Sequence, residues 1–322
     1  MKKIITLSLS TLLLAVASIT PAAAKGFPER PIEVIVPFGA GGTTDIYARA
    51  FSRVINKYLP NEQRIVVVNK AGGASTIGMS AVAMADPDGY TIGLLPTGVL
   101  EVQPHYGRTA WSLDDFKPIM AFLEIPASIN VHVSSPIKDY AEWKTFVTEN
   151  PGKFTYATAG GTGSDTHLSM ERLAKVTGLK IRHIPFEGHA QGSSALMSGQ
   201  VMGNFSLPDI DSGGEVRPVV FLTDAKPLSD VYNDIPSARD VGIDITTRYQ
   251  MGIVAPKNTP DDRIKIIHDA FKSALDDPEI ISFFKTTNMP IIYRSAQELS
   301  EGMHMRSKAN KETLLELGLI KQ

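Results

Sequence analysis

The stretch Pro37-Phe38-Gly39-Ala40-Gly41-Gly42-Thr43-Thr44-Asp45 follows a β-branched run, Ile32 to Val36, and precedes a segment in which Ile46, Ala50, Val54, Ile55 and Leu59 recur at helical spacing. This pattern predicts a strand, a glycine-rich turn and a helix with Thr43 or Thr44 as its N-cap. Several main-chain N–H groups of such a turn face one small volume at the positive end of the helix, which outlines an anion site. A plain tight turn is the alternative. Asp45 is interpreted as a first-turn residue favoured by the helix dipole rather than as a ligand contact.

The same strand, turn and helix unit returns twice. The second copy consists of Phe154 to Ala157, the turn Thr158-Ala159-Gly160-Gly161-Thr162-Gly163-Ser164, and a helix with Leu168, Leu173 and Val176 that stops at Gly178. The third runs from Ile181 to Pro185 through Glu187-Gly188-His189 into a short helix ending near Gly199. Other predicted strands are Arg64 to Val68, Tyr90 to Leu95, Lys180 to Ile184, Val216 to Leu222 and Met251 to Ala255, and other predicted helices are Pro260 to Leu275, Pro278 to Lys285 and Ala296 to Leu317. The alternation indicates an α/β fold with a parallel or mixed sheet covered by helices.

The chain length predicts two domains, and no flexible linker is visible between them. We therefore expect two crossovers, near Pro126 and near Tyr249, with residues 25–125 plus 249–322 in domain 1 and residues 126–248 in domain 2. The two glycine-rich turns would then face each other across a cleft. Such a cleft, beyond the carboxyl ends of strands, is the usual place for a small-molecule site in α/β proteins.

The predicted ligand-binding residues are the two turns and a few neighbours. The hydroxyls of Thr43 and Thr44 can donate to a carboxylate, and His167 lies one turn into the helix after Ser164, where a packed helix histidine is the alternative. Further turns follow strands at Thr97-Gly98 and at Gly188-His189-Ala190, and Asp209 could receive a hydroxyl or amine or cap a helix. The complete set is Phe38, Gly39, Ala40, Gly41, Gly42, Thr43, Thr44, Thr97, Gly98, Ala159, Gly160, Gly161, Thr162, Gly163, Ser164, His167, Gly188, His189, Ala190 and Asp209.

The amino terminus is typical of a secretory signal peptide. Met1-Lys2-Lys3 precedes an apolar run from Ile4 through Ile19 and then Pro21-Ala22-Ala23-Ala24. The apolar run is shorter than the roughly 20 residues that span a bilayer, and Ala22 and Ala24 supply the small residues that a signal peptidase needs. We expect cleavage after Ala24 and a periplasmic product; an uncleaved membrane anchor is the alternative.

The composition excludes several classes of function. The chain of 322 residues has no cysteine, so neither disulfides nor metal-thiolate sites are available. Its formal charge of −2, which becomes −4 without Lys2 and Lys3, gives no electrostatic footprint for nucleic acid. The seven histidines show no His-Glu-x-x-His spacing, and the first turn fits neither phosphate-binding nor dinucleotide-binding motifs. We therefore predict no metal and no cofactor.

Two other functions remain as alternatives. An exported hydrolase would need an activated nucleophile, but Gly-x-Ser-x-Gly is absent, and Ser164, Asp165 and His167 are too close in sequence to form a relay easily. A ligand sensor for a two-component system is the other alternative, which the sequence does not separate from a transport receptor.

Six short motifs occur along the whole chain in one order: Phe27-Pro-Glu-Arg-Pro-Ile32 leading to Ile35-Val-Pro-Phe38 with Gly41-Gly42-Thr-Thr-Asp45, then Asp86-Pro-Asp-Gly-Tyr-Thr91, Asn150-Pro-Gly-Lys153, Gly161-Thr-Gly-Ser-Asp-Thr-His-Leu168, Gly199-Gln-Val201 and Ala255-Pro-Lys-Asn-Thr-Pro260. In these residues the sequence resembles the Bug-type (TctC-like) periplasmic receptors of tripartite tricarboxylate transporters. The resemblance implies a two-domain periplasmic binding protein of type II, a Venus flytrap with a mixed sheet in each domain and two crossovers. It implies a receptor, not an enzyme.

The resemblance also implies a ligand and partners. A small carboxylate would be held by Phe38 to Thr44 on one side and Ala159 to Ser164 on the other, and the receptor, as a monomer, would deliver it to two integral membrane subunits, one large and one small. Two positions depart from the family's usual pattern: Phe186-Glu187-Gly188-His189 replaces a Tyr-Lys-Gly-Gly-like turn, and Gln250 stands where a tryptophan is usual. If Glu187 lines the cleft, it disfavours a second carboxylate on the ligand, whereas Arg248 would favour one.

Overall fold

The computed structural model describes residues 26–186, 188–207, 214–223, 225–245, 247 and 249–321, so the predicted leader at residues 1–24 lies outside the described residues. The strands in this part of the chain are β1 (Ile32–Val36), β2 (Ile65–Asn69), β3 (Thr91–Pro96), β4 (Phe116–Ile125), β5 (Ser128–His132), β6 (Thr155–Thr158), β7 (Arg182–Pro185), β8 (Gly203–Ser206), β9 (Val216–Phe221), β10 (Tyr249–Pro256) and β11 (Ile291–Ser295). The α-helices are α1 (Thr43–Val54), α2 (Thr76–Ala83), α3 (Gly98–Val102), α4 (Tyr140–Glu149), α5 (Asp165–Thr177), α6 (His189–Met197), α7 (Asp261–Ala274), α8 (Pro278–Thr286) and α9 (Ala296–Glu316).

The strands form two mixed sheets flanked by helices. The first has the order β11-β4-β10-β3-β1-β2, and the second has the order β7-β6-β8-β5-β9. In the first sheet β1 runs parallel to β2 and β3, while β10 is antiparallel to β3 and β4. In the second, β6 is parallel to β7 and β8, while β5 is antiparallel to β8 and β9. The fold class predicted from the alternation of strands and helices is confirmed.

The chain passes between the sheets at the two predicted places. Pro126 and Ala127 connect β4 of the first sheet to β5 of the second, and the chain returns to the first sheet as β10, which begins at Tyr249. This topology is consistent with domains at residues 25–125 plus 249–322 and 126–248, whose boundaries stay a prediction. The end of α9 also reaches the second sheet's helices, because Lys175 Nζ of α5 lies 2.6 Å from Glu316 Oε1.

Each sheet has its own core. Around the first sheet, the edges of Phe51, Phe122 and Phe284 pack against neighbouring rings, with ring centroids 5.0 Å apart for Phe51 and Phe122. Around the second, Trp143 packs edge-to-face on Phe154 at 5.7 Å. Separate apolar cores are what a two-lobed chain needs if the lobes are to hold their shape independently. In the described part of the chain, none of the helices combines the length and apolar composition that crossing a bilayer requires.

Two details of the sequence interpretation are wrong. The N-cap of α1 is Gly42, not Thr43 or Thr44. The buried face of α1 carries Tyr47, Phe51 and Val54, whereas Ile46 is 43% exposed. Four of the five residues predicted at helical spacing, Ala50, Val54, Ile55 and Leu59, are buried in the core, and Ile46 is the exception.

Candidate functional site

The carboxyl ends of parallel strands bring five turns to two facing edges. The turns after β1, β2 and β3 lie at one edge of the first sheet, and those after β6 and β7 lie at one edge of the second. The edges touch: the Tyr106 hydroxyl donates to the Gly163 carbonyl at 3.0 Å. A Cβ atom added to Gly98 would lie 2.1 Å from Asp165 Oδ2, so only glycine allows this approach. The two predicted turns therefore lie at the two sheet edges that approach each other.

The first turn, residues 38–42, rests on a buried carboxylate. Asp45 is 2% exposed, and its Oδ2 atom accepts hydrogen bonds from the Gly41 N–H at 2.9 Å and from Arg49 Nε at 2.9 Å. Its Oδ1 atom accepts from Asn69 Nδ2 at 3.0 Å, and the same amide group donates to the Phe38 carbonyl at 3.1 Å. The hydrogen bond from Arg49, followed by those from Gly41 and Asn69, lowers the pKa of Asp45 to about 2 despite its burial. Asp45 is thus a fixed anion that shapes the turn, in agreement with its interpretation as a first-turn residue.

The opposite side of this turn is open. Gly39, Ala40, Gly41, Gly42 and Thr43 are exposed, and Phe38 is half-buried against the core. Gly42 provides no side-chain cap, so the first amides of α1 have no acceptor within the helix. A ligand oxygen at this position would meet N–H groups at the positive end of a helix of 12 residues. Thr44, by contrast, is 5% exposed and lies beneath the turn.

The second turn, residues 159–164, is held by hydroxyl groups. Gly160, Gly161 and Gly163 have φ angles of 83°, 74° and 80°, which favour glycine. The Ser164 hydroxyl donates to the Gly161 carbonyl at 2.9 Å and, as the N-cap of α5, accepts from the His167 N–H at 3.3 Å. The hydroxyl of Thr166 donates to the Ala159 carbonyl at 2.8 Å. These hydrogen bonds fix the path of the main chain through residues 159–163.

His167 lies under the second turn. Its Nδ1 atom accepts from the Gly163 N–H at 3.0 Å, its Nε2 atom lies 3.4 Å from Glu171 Oε1, and its ring stacks on His183 at 4.0 Å. The first contact requires the proton on Nε2, which then points to Glu171. Burial and the neighbouring His167 lower the pKa of His183 to about 4, so that ring stays neutral. The imidazole of His167 is 6% exposed and does not contact the Ser164 hydroxyl, so no serine–histidine relay is assembled.

Thr97 and Gly98 lie where the edges meet, but the threonine side chain points into a buried polar group. Its hydroxyl donates to Glu101 Oε1 at 2.8 Å, and Glu101 also accepts two hydrogen bonds from Arg306, at 2.7 and 2.9 Å. Arg306 donates further to Gln250 Oε1 at 3.3 Å, so Gln250 is a buried member of this group.

Asp165, at the start of α5, lies close to this buried group. Burial and the nearby Glu101 carboxylate raise the pKa of Asp165 to about 6.

The third turn, which follows β7, is hydrogen-bonded to the second turn. The Gly161 N–H donates to the Phe186 carbonyl at 3.0 Å, and the Gly188 N–H donates to Gln191 Oε1 at 3.1 Å at the start of α6. His189 and Ala190 form the first turn of that helix and are half-buried and exposed, respectively. Asp209, Glu187 and Arg248 lie outside the described residues. Within the described ranges no group of His, Cys, Asp or Glu side chains is arranged to hold a metal ion.

Sequence reasoning missed three contributors to this cleft. The turn after β2 reaches the same edge, with four consecutive positive φ angles from Gly72 to Ser75, and the signal for it was a Gly-Gly pair after a predicted strand. Asn69 braces the first turn, and Tyr106 ties the second turn to the opposite wall. Neither has a sequence signal, because the hydrogen bonds from Asn69 and Tyr106 reach turn residues 31 and 57 positions away in the sequence.

A cavity of about 410 Å³ opens beside the first turn. Thr43 and Tyr47 of α1 line it together with Thr287 and Asn288 after α8, and Pro126 and Pro227 close it from the side of the second sheet. Its size falls within the range of small-molecule sites. The cavity therefore lies beside the start of α1 and is lined by residues from both sides of the crossover.

The comparisons with known proteins agree with this arrangement. Residues 48–319 match the family TctC, described as the tripartite tricarboxylate transporter family receptor. A protein of the UPF0065 group from Bordetella pertussis is 31% identical over 317 residues, covering 97% of this chain and 96% of its own. A TctC solute-binding protein from Polaromonas superposes with a TM-score of 0.77 at 28% identity, covering 90% of this chain and all of its own. The periplasmic binding protein BugD superposes with a TM-score of 0.73 at 26% identity, covering 92% of this chain and all of its own.

The family match and the structural matches point to the same family of receptors that the six short motifs resemble. The family consists of solute-binding receptors and is not a class of enzymes. The chain belongs to the tripartite tricarboxylate transporter receptor family, the TctC-type periplasmic solute-binding proteins.

Proposed function

We propose that this protein captures a small carboxylate between the two glycine-rich turns and delivers it to a tripartite tricarboxylate-type secondary transporter. The observation that carries the proposal is the pairing itself: each lobe contributes one turn whose shape is fixed from beneath, by Asp45 in one case and by Ser164, Thr166 and His167 in the other. Pre-shaped N–H groups do not lose conformational freedom when an anion binds, which favours affinity. The partners are one large and one small membrane subunit, and the receptor acts as a monomer after cleavage following Ala24.

Closure follows from the same geometry. A carboxylate has two oxygens, and both turns can donate to it only when the lobes come together. Ligand binding then shifts the population from open to closed forms, because only the closed form makes both sets of contacts. The contact from Tyr106 to Gly163 already joins the second turn to the opposite wall, and the contact from Lys175 to Glu316 joins the two sides away from both turns.

The test is a thermal-shift screen of the mature protein, unfolded and refolded to remove bound ligand, against dicarboxylates, tricarboxylates, acidic amino acids and aromatic carboxylates. A ligand at 100 times its Kd stabilises the folded state by about 2.7 kcal/mol, which raises the Tm by several degrees. No shift with any carboxylate would contradict the proposal.

The matching variant is Gly42→Val. Gly42 has ordinary extended backbone, and an added Cβ meets only the Gly39 carbonyl at 3.5 Å, so the chain should still fold. We expect at least a 100-fold loss of affinity, because the new side chain covers the amides of α1. The control is Gly26→Val, whose Cβ would lie in open space; unchanged affinity in both variants would show that the first turn does not bind the ligand.

A further inference from the structure

The walls of the cavity beside the first turn offer few hydrogen-bond donors to a ligand. All of its described lining side chains are uncharged, and they include Thr43, Ile46, Tyr47, Thr286, Thr287 and Asn288. A second carboxylate placed here would lose part of its hydration and would need cations or several N–H and O–H donors in exchange. The number of donors that the walls can offer therefore decides which ligands fit.

The main chain around the cavity offers few donors. The N–H groups of Thr287, Asn288 and Met289 are bonded to the carbonyls of Phe283, Lys285 and Phe284 at 2.9, 3.1 and 2.9 Å. Pro126 and Pro227, which close the cavity from the other lobe, have no N–H group. The main chain at these five lining positions therefore offers no free N–H group to a ligand.

The hydroxyl protons are largely committed as well. Thr286 donates to the Ser282 carbonyl at 3.0 Å, and Thr287 donates to the Phe283 carbonyl at 3.1 Å. The Tyr47 and Thr287 hydroxyl oxygens are 3.0 Å apart, and because the single proton of Thr287 is used, Tyr47 donates in this bond. Burial raises the pKa of Tyr47 to about 12, so the phenol keeps its proton. These oxygens can still accept hydrogen bonds from a ligand.

Among the described lining side chains, two neutral donors remain, the Thr43 hydroxyl and the Asn288 amide. The exposed Thr43 is the first residue of α1, next to the amides proposed to hold the first carboxylate. Asn288 accepts from the Ser229 N–H at 2.6 Å through its side-chain oxygen, which leaves its amide NH₂ group to serve the pocket. One amide can satisfy a hydroxyl or carbonyl group, whereas a desolvated carboxylate needs more.

We infer that this cavity is a subsite for the uncharged remainder of the ligand, so that the substrate class is monocarboxylates with an apolar, aromatic or hydroxyl-bearing tail. The inference rests on the proposed function, since the first turn must hold the single carboxylate. A hydroxyl on the tail donates to the oxygens of Tyr47 or Thr286 and accepts from Asn288, while apolar atoms contact Leu207 and Met289.

Calorimetric titration with two matched pairs of probes tests this inference: 4-hydroxybenzoate against terephthalate, and hexanoate against adipate. Each pair has the same framework and differs in whether the far end carries a charge. We expect the monocarboxylate of at least one pair to bind at least tenfold more tightly than its dicarboxylate. A dicarboxylate that binds equally or more tightly in both pairs overturns the inference and leaves the proposed function standing. Failure of all four probes, together with no shift in the full carboxylate screen, overturns both.

A variant that adds a cation makes the test specific to this cavity. Ile46 lines it and is 43% exposed, so Ile46→Lys places an ammonium group there without burying it. We expect at least a fivefold gain in affinity for the dicarboxylate relative to its matched monocarboxylate. The control is Ile77→Lys on α2, where the replaced side chain is 56% exposed and does not line the cavity. An equal response in the two variants would show that the ligand's far end lies elsewhere.

Discussion

The first turn, residues 38–42, rests on a buried ionised group, whereas the second turn, residues 159–164, rests on hydroxyls and the imidazole of His167. Asp45 supplies three acceptor contacts to Gly41, Asn69 and Arg49, all within the first lobe. The second turn depends on short-range bonds from Ser164 and Thr166 and on one contact from the opposite lobe, through Tyr106. Similar backbone shapes are therefore held by different chemistry, and the two should fail under different perturbations.

The largest effect is expected when the ionic support is removed. Asp45→Ala removes the buried acceptor shared by the Gly41 N–H, the Asn69 amide and Arg49, and because water reaches these three donors in part, we expect a loss of about 2 kcal/mol in unfolding free energy. Urea denaturation without ligand measures it. Asp244→Ala, at an exposed position, should change stability by less than about 0.5 kcal/mol. Similar small losses in both variants would mean that the first turn does not depend on Asp45.

The contributions of Asp45 and Asp165 to the stability of the fold should also change with pH in opposite directions. The lowered pKa of Asp45 stabilises the fold above the unfolded value near 4, and this contribution is lost as the pH falls toward 2. The raised pKa of Asp165 has the opposite sign: the folded state binds the proton more tightly, so the benefit is complete below pH 4 and is lost as the pH rises through 6. Asp165 should therefore destabilise the protein at neutral pH.

Asp165→Asn sharpens that contrast. Asparagine keeps the Oδ1 atom that accepts from the Thr166 N–H at 2.9 Å and removes the charge next to Glu101. We expect the variant to be more stable than the natural chain by about 1–2 kcal/mol at pH 7 and by much less at pH 4.5. Unfolding curves at the two pH values measure the difference. A gain that does not change between them would place its origin outside the ionisation of Asp165.

The smallest effect on stability is expected when the Ser164 hydroxyl, which supports the second turn, is removed. Ser164→Ala removes the N-cap of α5 and the bond to the Gly161 carbonyl, at a cost of about 1 kcal/mol. The matched control is Ser295→Ala, which removes the capping box of α9. Both variants should lose similar stability, but only Ser164→Ala should weaken binding of the best carboxylate found in the screen. Equal affinity in the two variants would separate the shape of the second turn from ligand binding.

The parts of the fold that could be predicted from sequence are those with local causes. β-branched runs marked β1, β2 and β9 within a residue or two, and the helices after residue 260 were located almost to the residue. β4 was missed because it is buried on both faces and contains Pro118, so it has neither alternation nor clean β-branched composition. β5 was missed because two of its buried positions are Ser128 and Asn130, whose side chains bond to each other.

The candidate site also has features that could be predicted from the sequence and features that could not. Its glycine turns are visible in the sequence because positive φ angles demand glycine locally, as at Gly160 and Gly163. The cavity is not visible, because it forms only when α1 meets the end of α8, where Tyr47 and Thr287 are 240 residues apart. The role of Gly163 also depends on a distant residue: an added Cβ would lie 1.7 Å from the Tyr106 hydroxyl, so substitution there would disturb packing as well as binding.

The contact between α9 and α5 makes this chain well suited to carry an optical reporter. Lys175 and Glu316 lie on different lobes with their charged atoms 2.6 Å apart, and Lys175 is largely exposed. Since the sequence contains no cysteine, a thiol introduced at residue 175 would be the sole attachment point for a maleimide dye. If the lobes close on the ligand as proposed, a dye at residue 175 would report the change in its emission as the ligand binds, without modification of the glycine-rich turns.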